Sequence, residues 1–87
     1  MVIQTAAANS NPRYPNTIVV TVSTKGKEVP FHVPVAASER NGLKAGSFVK
    51  CEQVMTISKE RLVHRLGSLD EERPQAVAIA IRRVLEV

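Results

Sequence analysis

The run Ser47 to Ser58, read Ser-Phe-Val-Lys-Cys-Glu-Gln-Val-Met-Thr-Ile-Ser, most constrains what this chain can become. Phe48, Val49, Val54 and Ile57 give it strand propensity. Lys50, Glu52 and Gln53 nevertheless set a cation, a carboxylate and an amide inside what should otherwise be core. Side chains two apart on a strand share a face, so Lys50 and Glu52 project together while Cys51 points the other way with Val49 and Gln53. A charge pair on one strand face suits an anionic ligand and marks this run as the first candidate site.

At 87 residues the chain is one domain, 1–87, near the size at which a single core is only marginally sufficient, so an oligomer or a further segment is expected to contribute. Apolar residues make up 44% and are mostly Val, Ile, Leu and Ala, with no Trp, one Tyr and two Phe. That is a globular composition in which aromatic stacking on bases cannot dominate. A formal charge of +4 suits an anionic partner and equally suits plain solubility. One cysteine excludes an internal disulfide, and two distant histidines give no metal-ligand spacing, so neither metal nor other cofactor is expected. No basic start leads into an apolar run and no window reaches membrane length, which points to a reducing cytoplasm.

In chain order, Met1 to Gln4 reads as the end of a strand, and Thr5 to Asn16 as a loop with at most a helical turn, because Asn-Pro and Tyr-Pro disfavour helix before each proline. Arg13 and Tyr14 fall in this loop, exposed and mobile, where a plain solvated loop is the favoured reading over a ligand contact. Thr17 to Thr24 is β-branched at nearly every position and predicts a strand buried on both faces, with Ser23 and Thr24 emerging from its end. Lys25-Gly26-Lys27-Glu28 is a turn. Val29 to Val35 returns as a strand that Pro30 and Pro34 confine to an edge or bulge, with His32 as a polar surface position. Ala36 to Gly46 is a polar connection with turn signals at Asn41-Gly42 and Ala45-Gly46. Ser58 can cap a helical turn at Lys59 to Leu62, and Val63 to Leu66 is short enough for a further strand, with His64 and Arg65 facing solvent. From Asp70 the pattern is helical: Asp70-Glu71-Glu72 supply cap and first-turn carboxylates, Pro74 must fall in the first turn or kink it, and Val77, Ile81, Val84 and Leu85 recur at helical spacing.

This order resembles the MazF/PemK family of toxin endoribonucleases. The likeness rests on Val2-Ile3-Gln4 with Asn9, on Ile18 to Thr24, on Val29-Pro30-Phe31-His32-Val33, and above all on Cys51-Glu52-Gln53-Val54-Met55-Thr56-Ile57-Ser58-Lys59-Glu60-Arg61-Leu62 followed by Gly67-Ser68-Leu69. It implies a mainly β fold with a C-terminal helix (α+β), an SH3-like barrel of the MazF/PemK/CcdB type. It also implies cleavage of single-stranded RNA without a metal, by attack of the ribose 2′-hydroxyl on the neighbouring phosphodiester. Such a reaction needs a base, positive charge on the phosphoryl oxygens and an acid at the leaving oxygen. Ser23 of Ser23-Thr24 occupies the place of a family hydroxyl, and Lys50-Cys51-Glu52 that of an Arg-Cys-Asp triplet. Ser23, Lys50 and Glu52 are therefore the catalytic candidates, and Arg13, Thr24, Lys25, Lys27 and His32 the RNA-binding ones.

Lysine lacks the planar fork of arginine and glutamate is one methylene longer than aspartate, so an ion pair between Lys50 and Glu52 is the competing structural reading. Gln53 and Thr56 are expected to satisfy backbone groups near the turn. The chain begins at the Val-Ile-Gln that in the family follows an Arg-Gly-Asp/Glu strand and an arginine-bearing loop, so the barrel is expected to be short by a strand. The implied partners are single-stranded RNA, a cognate antitoxin and a second copy in a homodimer, with no membrane. The alternative is a non-catalytic binder, either an antitoxin-capturing remnant or a relative of the CcdB gyrase poisons. A DNA-binding swapped-hairpin dimer fits size and charge but not the long C-terminal helix.

Overall fold

This computed structural model describes residues 1–63, 65–68 and 72–86. Within them lie α1 (Ala6–Ser10), β1 (Asn16–Ser23), β2 (His32–Val35), β3 (Ser47–Ser58), a 3₁₀ turn (Lys59–Arg61) and α2 (Glu72–Leu85). The strands form one antiparallel sheet in the order β1-β3-β2, so the run that mixes charge with strand propensity is the central strand. The outcome is mainly β with a C-terminal helix, as the sequence predicts. Residues 1–3 extend the sheet beyond β1: Val2 bridges Val19, Ile3 N–H donates to the Ile18 carbonyl at 2.9 Å, and Val20 N–H to the Met1 carbonyl at 2.8 Å.

Alternation sorts the sheet into two faces. Val20, Val33, Val35, Val49 and Cys51 are buried against Val77 and Ala80 of α2, with Val22 and Ile81 half-buried around them. Every buried side chain in this core is small, so a helix with alanine in its contact stripe can sit close. Pro74 is in the first turn of α2, and Arg82 and Arg83 are in its last. Leu85, assigned by its spacing to the apolar face, is 57% exposed, and Ala80 stands in its stead. The cap expected at Asp70 and Glu71 lies outside the described residues.

β3 does not run straight along β1. Thr21 pairs with Lys50, but Val20 pairs with Val54, leaving residues 51–53 of β3 without partners on β1. An odd number of extra residues reverses the face on which later side chains emerge. Past this offset β3 lies open on both faces: residues 52–56 are all exposed, Val54 included although it pairs with buried Val20, whereas the run alternates up to Cys51.

Other expectations change for local reasons. β1 is not covered on both faces: Ile18 is exposed, whereas Thr17 is buried because its Oγ1 donates to Asn9 Oδ1 at 2.7 Å beneath α1. Asn9 Nδ2 in turn donates to the Gln4 carbonyl at 3.0 Å, so Gln4 and Asn9 fasten the first loop. β2 starts only at His32, since residues 27–32 make tight turns (Val29 N–H to Lys27 carbonyl, His32 N–H to Val29 carbonyl). The strand predicted for Val63 to Leu66 includes His64, outside the described residues. Val63, Arg65 and Leu66 are irregular, and 65–68 packs instead on the loop at 40–42, where Gly42 has φ +68° and a side chain on Gly67 would strike the Arg40 carbonyl. Ser58 does cap the 3₁₀ turn, accepting from Glu60 N–H. Gln53 and Thr56, expected to bond backbone, are exposed and make no side-chain hydrogen bond among the described residues. No helix among those residues is long and apolar enough to cross a membrane.

Candidate active site on the open sheet face

Opposite α2, the sheet presents the side chains that alternation keeps out of the core. Lys50 is directly across from Thr21 on β1 and from His32 on β2, and Phe48 is across from Ser23 and Pro34. Directly paired residues share a face, so Ser23, Phe48, Lys50 and His32 form one surface, with Glu52 two residues beyond Lys50. The two charges of the Lys50-Cys51-Glu52 triplet thus stand on this surface while Cys51, between them, is fully buried; burial pushes its thiol pKa up.

The carboxylate is held by histidine, not by lysine. His32 Nε2 lies 2.8 Å and 3.1 Å from the two Glu52 oxygens, and no ion pair joins Glu52 to Lys50 among the described residues. The competing reading of a Lys50–Glu52 ion pair is therefore corrected: the two lie on the same strand, and Glu52 leans toward the neighbour on β2. The hydrogen bond from His32 holds the Glu52 carboxyl below its usual value, with smaller help from the charge of Lys50. His32 is not a surface side chain either, being 9% exposed against 39% for Glu52. Its other nitrogen, Nδ1, accepts the Lys27 N–H at 3.1 Å, which leaves the proton on Nε2 for the carboxylate.

The connection between β1 and β2 folds over this surface. Gly26 lies so close to Phe48 that a Cβ there would come 2.3 Å from the ring, and the same ring is tilted against His32 at 6.4 Å. Lys25 N–H donates to Ser23 Oγ at 3.1 Å, which occupies one acceptor site of that hydroxyl and leaves its proton free to donate. Thr24, Lys25 and Lys27 are exposed on this connection, beside the cluster. Arg13 is not: its loop joins the other end of β3, where Lys59 N–H donates to the Pro15 carbonyl and Lys59 Nζ to those of Ala8 and Asn11. Sequence reasoning missed Gly26 and Phe48 as framing groups, and the His32–Glu52 contact. The signal for that contact is a register between β2 and β3, which the long loop at 36–46 leaves open.

Two shallow grooves flank this surface, about 300 and 430 Å³: one at the far end of β3 between Asn11, Tyr14 and Lys59, the other adjoining it through Phe48, beside Pro34 and Gly46. Lys50 and Glu52 line neither. An open polar face with a hydroxyl, an ammonium and an ionised carboxylate accommodates an extended anionic chain better than a small molecule that needs enclosure.

Comparison with known proteins gives the same direction. A family model for the PemK-like, MazF-like toxin of type II toxin–antitoxin systems matches residues 1–85. Among solved structures, the Mycobacterium tuberculosis toxin MazF-mt6 superposes with a TM-score of 0.87 at 26% identity, over 100% of this chain and 84% of that one. An Mtb toxin superposes at 0.84 with 27% identity, over 97% and 88%. An endoribonuclease in complex with its cognate antitoxin, from a mycobacterial species, shares the fold at a TM-score of 0.79 and 18% identity, over 100% and 79%.

Proposed function

The chain belongs to the PemK/MazF-like toxins of type II toxin–antitoxin systems, and from that premise we propose that it is an endoribonuclease that cuts single-stranded RNA in the cytoplasm and so arrests translation. The observation that carries the reading is the shared face of Ser23, Lys50 and the His32-bound Glu52. Glu52, kept ionised, takes the proton from the ribose 2′-hydroxyl as its oxygen attacks the adjacent phosphorus. Charge then builds on the non-bridging oxygens. The Lys50 ammonium neutralises it and Ser23 O–H donates a hydrogen bond to it. The bond to the 5′-oxygen breaks, Lys50 supplies the proton that oxygen needs, and the products are a 2′,3′-cyclic phosphate and a 5′-hydroxyl. No step requires a metal. Thr24, Lys25 and Lys27, on the connection folded against the face, and Arg13 at the far end of β3 bind flanking phosphates.

A cognate antitoxin is the proposed protein partner. An acidic segment laid over the same cationic face would compete with RNA, consistent with the formal charge of +4. A homodimer is the proposed assembly. The test is incubation of the purified protein with a long single-stranded RNA in the presence of a chelator. The expected result is discrete fragments ending in cyclic phosphate, reduced on the order of 10²-fold in rate by Ser23→Ala or Lys50→Ala. Intact RNA after prolonged incubation would reject the nuclease reading.

A further inference from the structure

We propose that His32 is a positioning residue that joins two parts of the site, fixing the Glu52 carboxylate through Nε2–H and the lysine-bearing connection between β1 and β2 through Nδ1. The catalytic consequence rests on the nuclease reading above; the structural linkage does not.

Three contacts converge on one imidazole. Nε2 is within 2.8 Å of Glu52, Nδ1 accepts the Lys27 N–H at 3.1 Å, and Phe48 packs against the ring. A neutral imidazole has one donor and one acceptor, and both are taken, in opposite directions. The tautomer is thereby fixed, and His32 itself offers no lone pair for use as a base. What it controls is where Glu52 points and where the residue 24–28 backbone sits.

Only the neutral imidazole can make both contacts. Protonation would turn Nδ1 into a donor facing the Lys27 N–H, so the connection would be released while the contact to Glu52 survives as an ion pair. Of the charged residues, Glu52 bonds the ring, Lys50 pairs with His32 across the strands, and Lys27 reaches it through its backbone N–H. The helix α2 packs on the other face of the sheet.

Two substitutions separate the two functions. His32→Gln keeps a donor near the Nε2 position and loses the acceptor, whereas His32→Asn keeps an acceptor near Nδ1 and loses the donor. For His32→Gln, the Lys27 amide should exchange with solvent at least 10-fold faster while the Glu52 carboxyl still titrates low. For His32→Asn, Lys27 should stay protected while Glu52 rises to the ordinary glutamate value. ¹⁵N spectra of the unsubstituted protein above neutral pH should give a bare Nδ1 and a protonated Nε2. An Nδ1–H tautomer, or both variants changing both readouts alike, would overturn the linkage. On RNA, His32→Asn should lower kcat on the order of 10-fold with KM little changed, and His32→Gln should mainly raise KM. If the unsubstituted protein cuts no RNA, the nuclease reading fails on its own, because the tautomer and exchange measurements are made without substrate. Active enzyme with kcat unaltered in His32→Asn would overturn the catalytic consequence.

Discussion

A single hydrogen bond decides the chemistry available at Glu52. Its carboxyl is held low by His32, so the folded state binds that proton less readily than the unfolded chain, whose glutamate titrates near 4.5. Stability from this contact is therefore present in full above that value and is lost as pH falls through the lower folded one. Urea midpoints measured from pH 6 down to pH 3 should fall more steeply for the unsubstituted protein than for Glu52→Gln, which has no such proton to bind; parallel curves would refute the assignment. Gly26 is the second residue with a disproportionate role. A methyl group there meets the Phe48 ring, so Gly26→Ala should destabilise by about 1–3 kcal/mol, the usual cost of overpacking, measured by chemical denaturation. It should also disturb the Lys27 amide, since the same backbone delivers that N–H to His32.

At the scale of elements, packing sorts residues that the sequence treats alike. Val77 is fully buried against the sheet and Ile79 on the same helix is 52% exposed. Val77→Ala should cost about 2 kcal/mol and Ile79→Ala no more than about 0.5 kcal/mol, a contrast that equilibrium unfolding of the two variants resolves. Much of the element plan was legible beforehand. β-branched content marked β1, two prolines marked β2 as an edge, Ser58 marked the 3₁₀ turn, and helical spacing marked α2. Non-local pairing was not legible. Whether Val20 faces Cys51 or Val54 depends on how β3 bends to follow β1, and nothing in residues 51–53 announces the three-residue offset. Past that offset β3 is exposed on both faces, so Val54 and Met55 are open where core was expected. The candidate site was legible in the same measure: alternation put Lys50 and Glu52 on one face, but the partner of Glu52 is 20 residues away on another strand and follows only from the register.

For the whole molecule, the offset in β3 leaves a half-sheet that one copy does not cover. On the β2 side the last bond to β3 is Cys51 N–H to the Phe31 carbonyl at 2.8 Å, so from Val54 onward β3 has β1 on one side and a free edge on the other among the described residues. Apolar side chains crowd this half. Val54, 38% exposed, lies diagonally from Ile18, 37% exposed, while Met55, 48% exposed, pairs with Val19, which itself bridges Val2, 43% exposed. An open edge flanked by apolar side chains is a template for pairing with another chain, and natural proteins normally blunt such edges. A chain this small also gains most from burying more surface. The proposed homodimer is thus expected to form through residues 52–56, and a charge at its centre should oppose it. Light scattering should give the unsubstituted protein twice the 9.5 kDa chain mass at micromolar concentration. Met55→Lys should weaken association on the order of 10-fold or more, shifting the mass toward a single chain with the far-ultraviolet circular dichroism unchanged. A single-chain mass for the unsubstituted protein would rule out the homodimer, and a dimer indifferent to Met55→Lys would move its interface to another face.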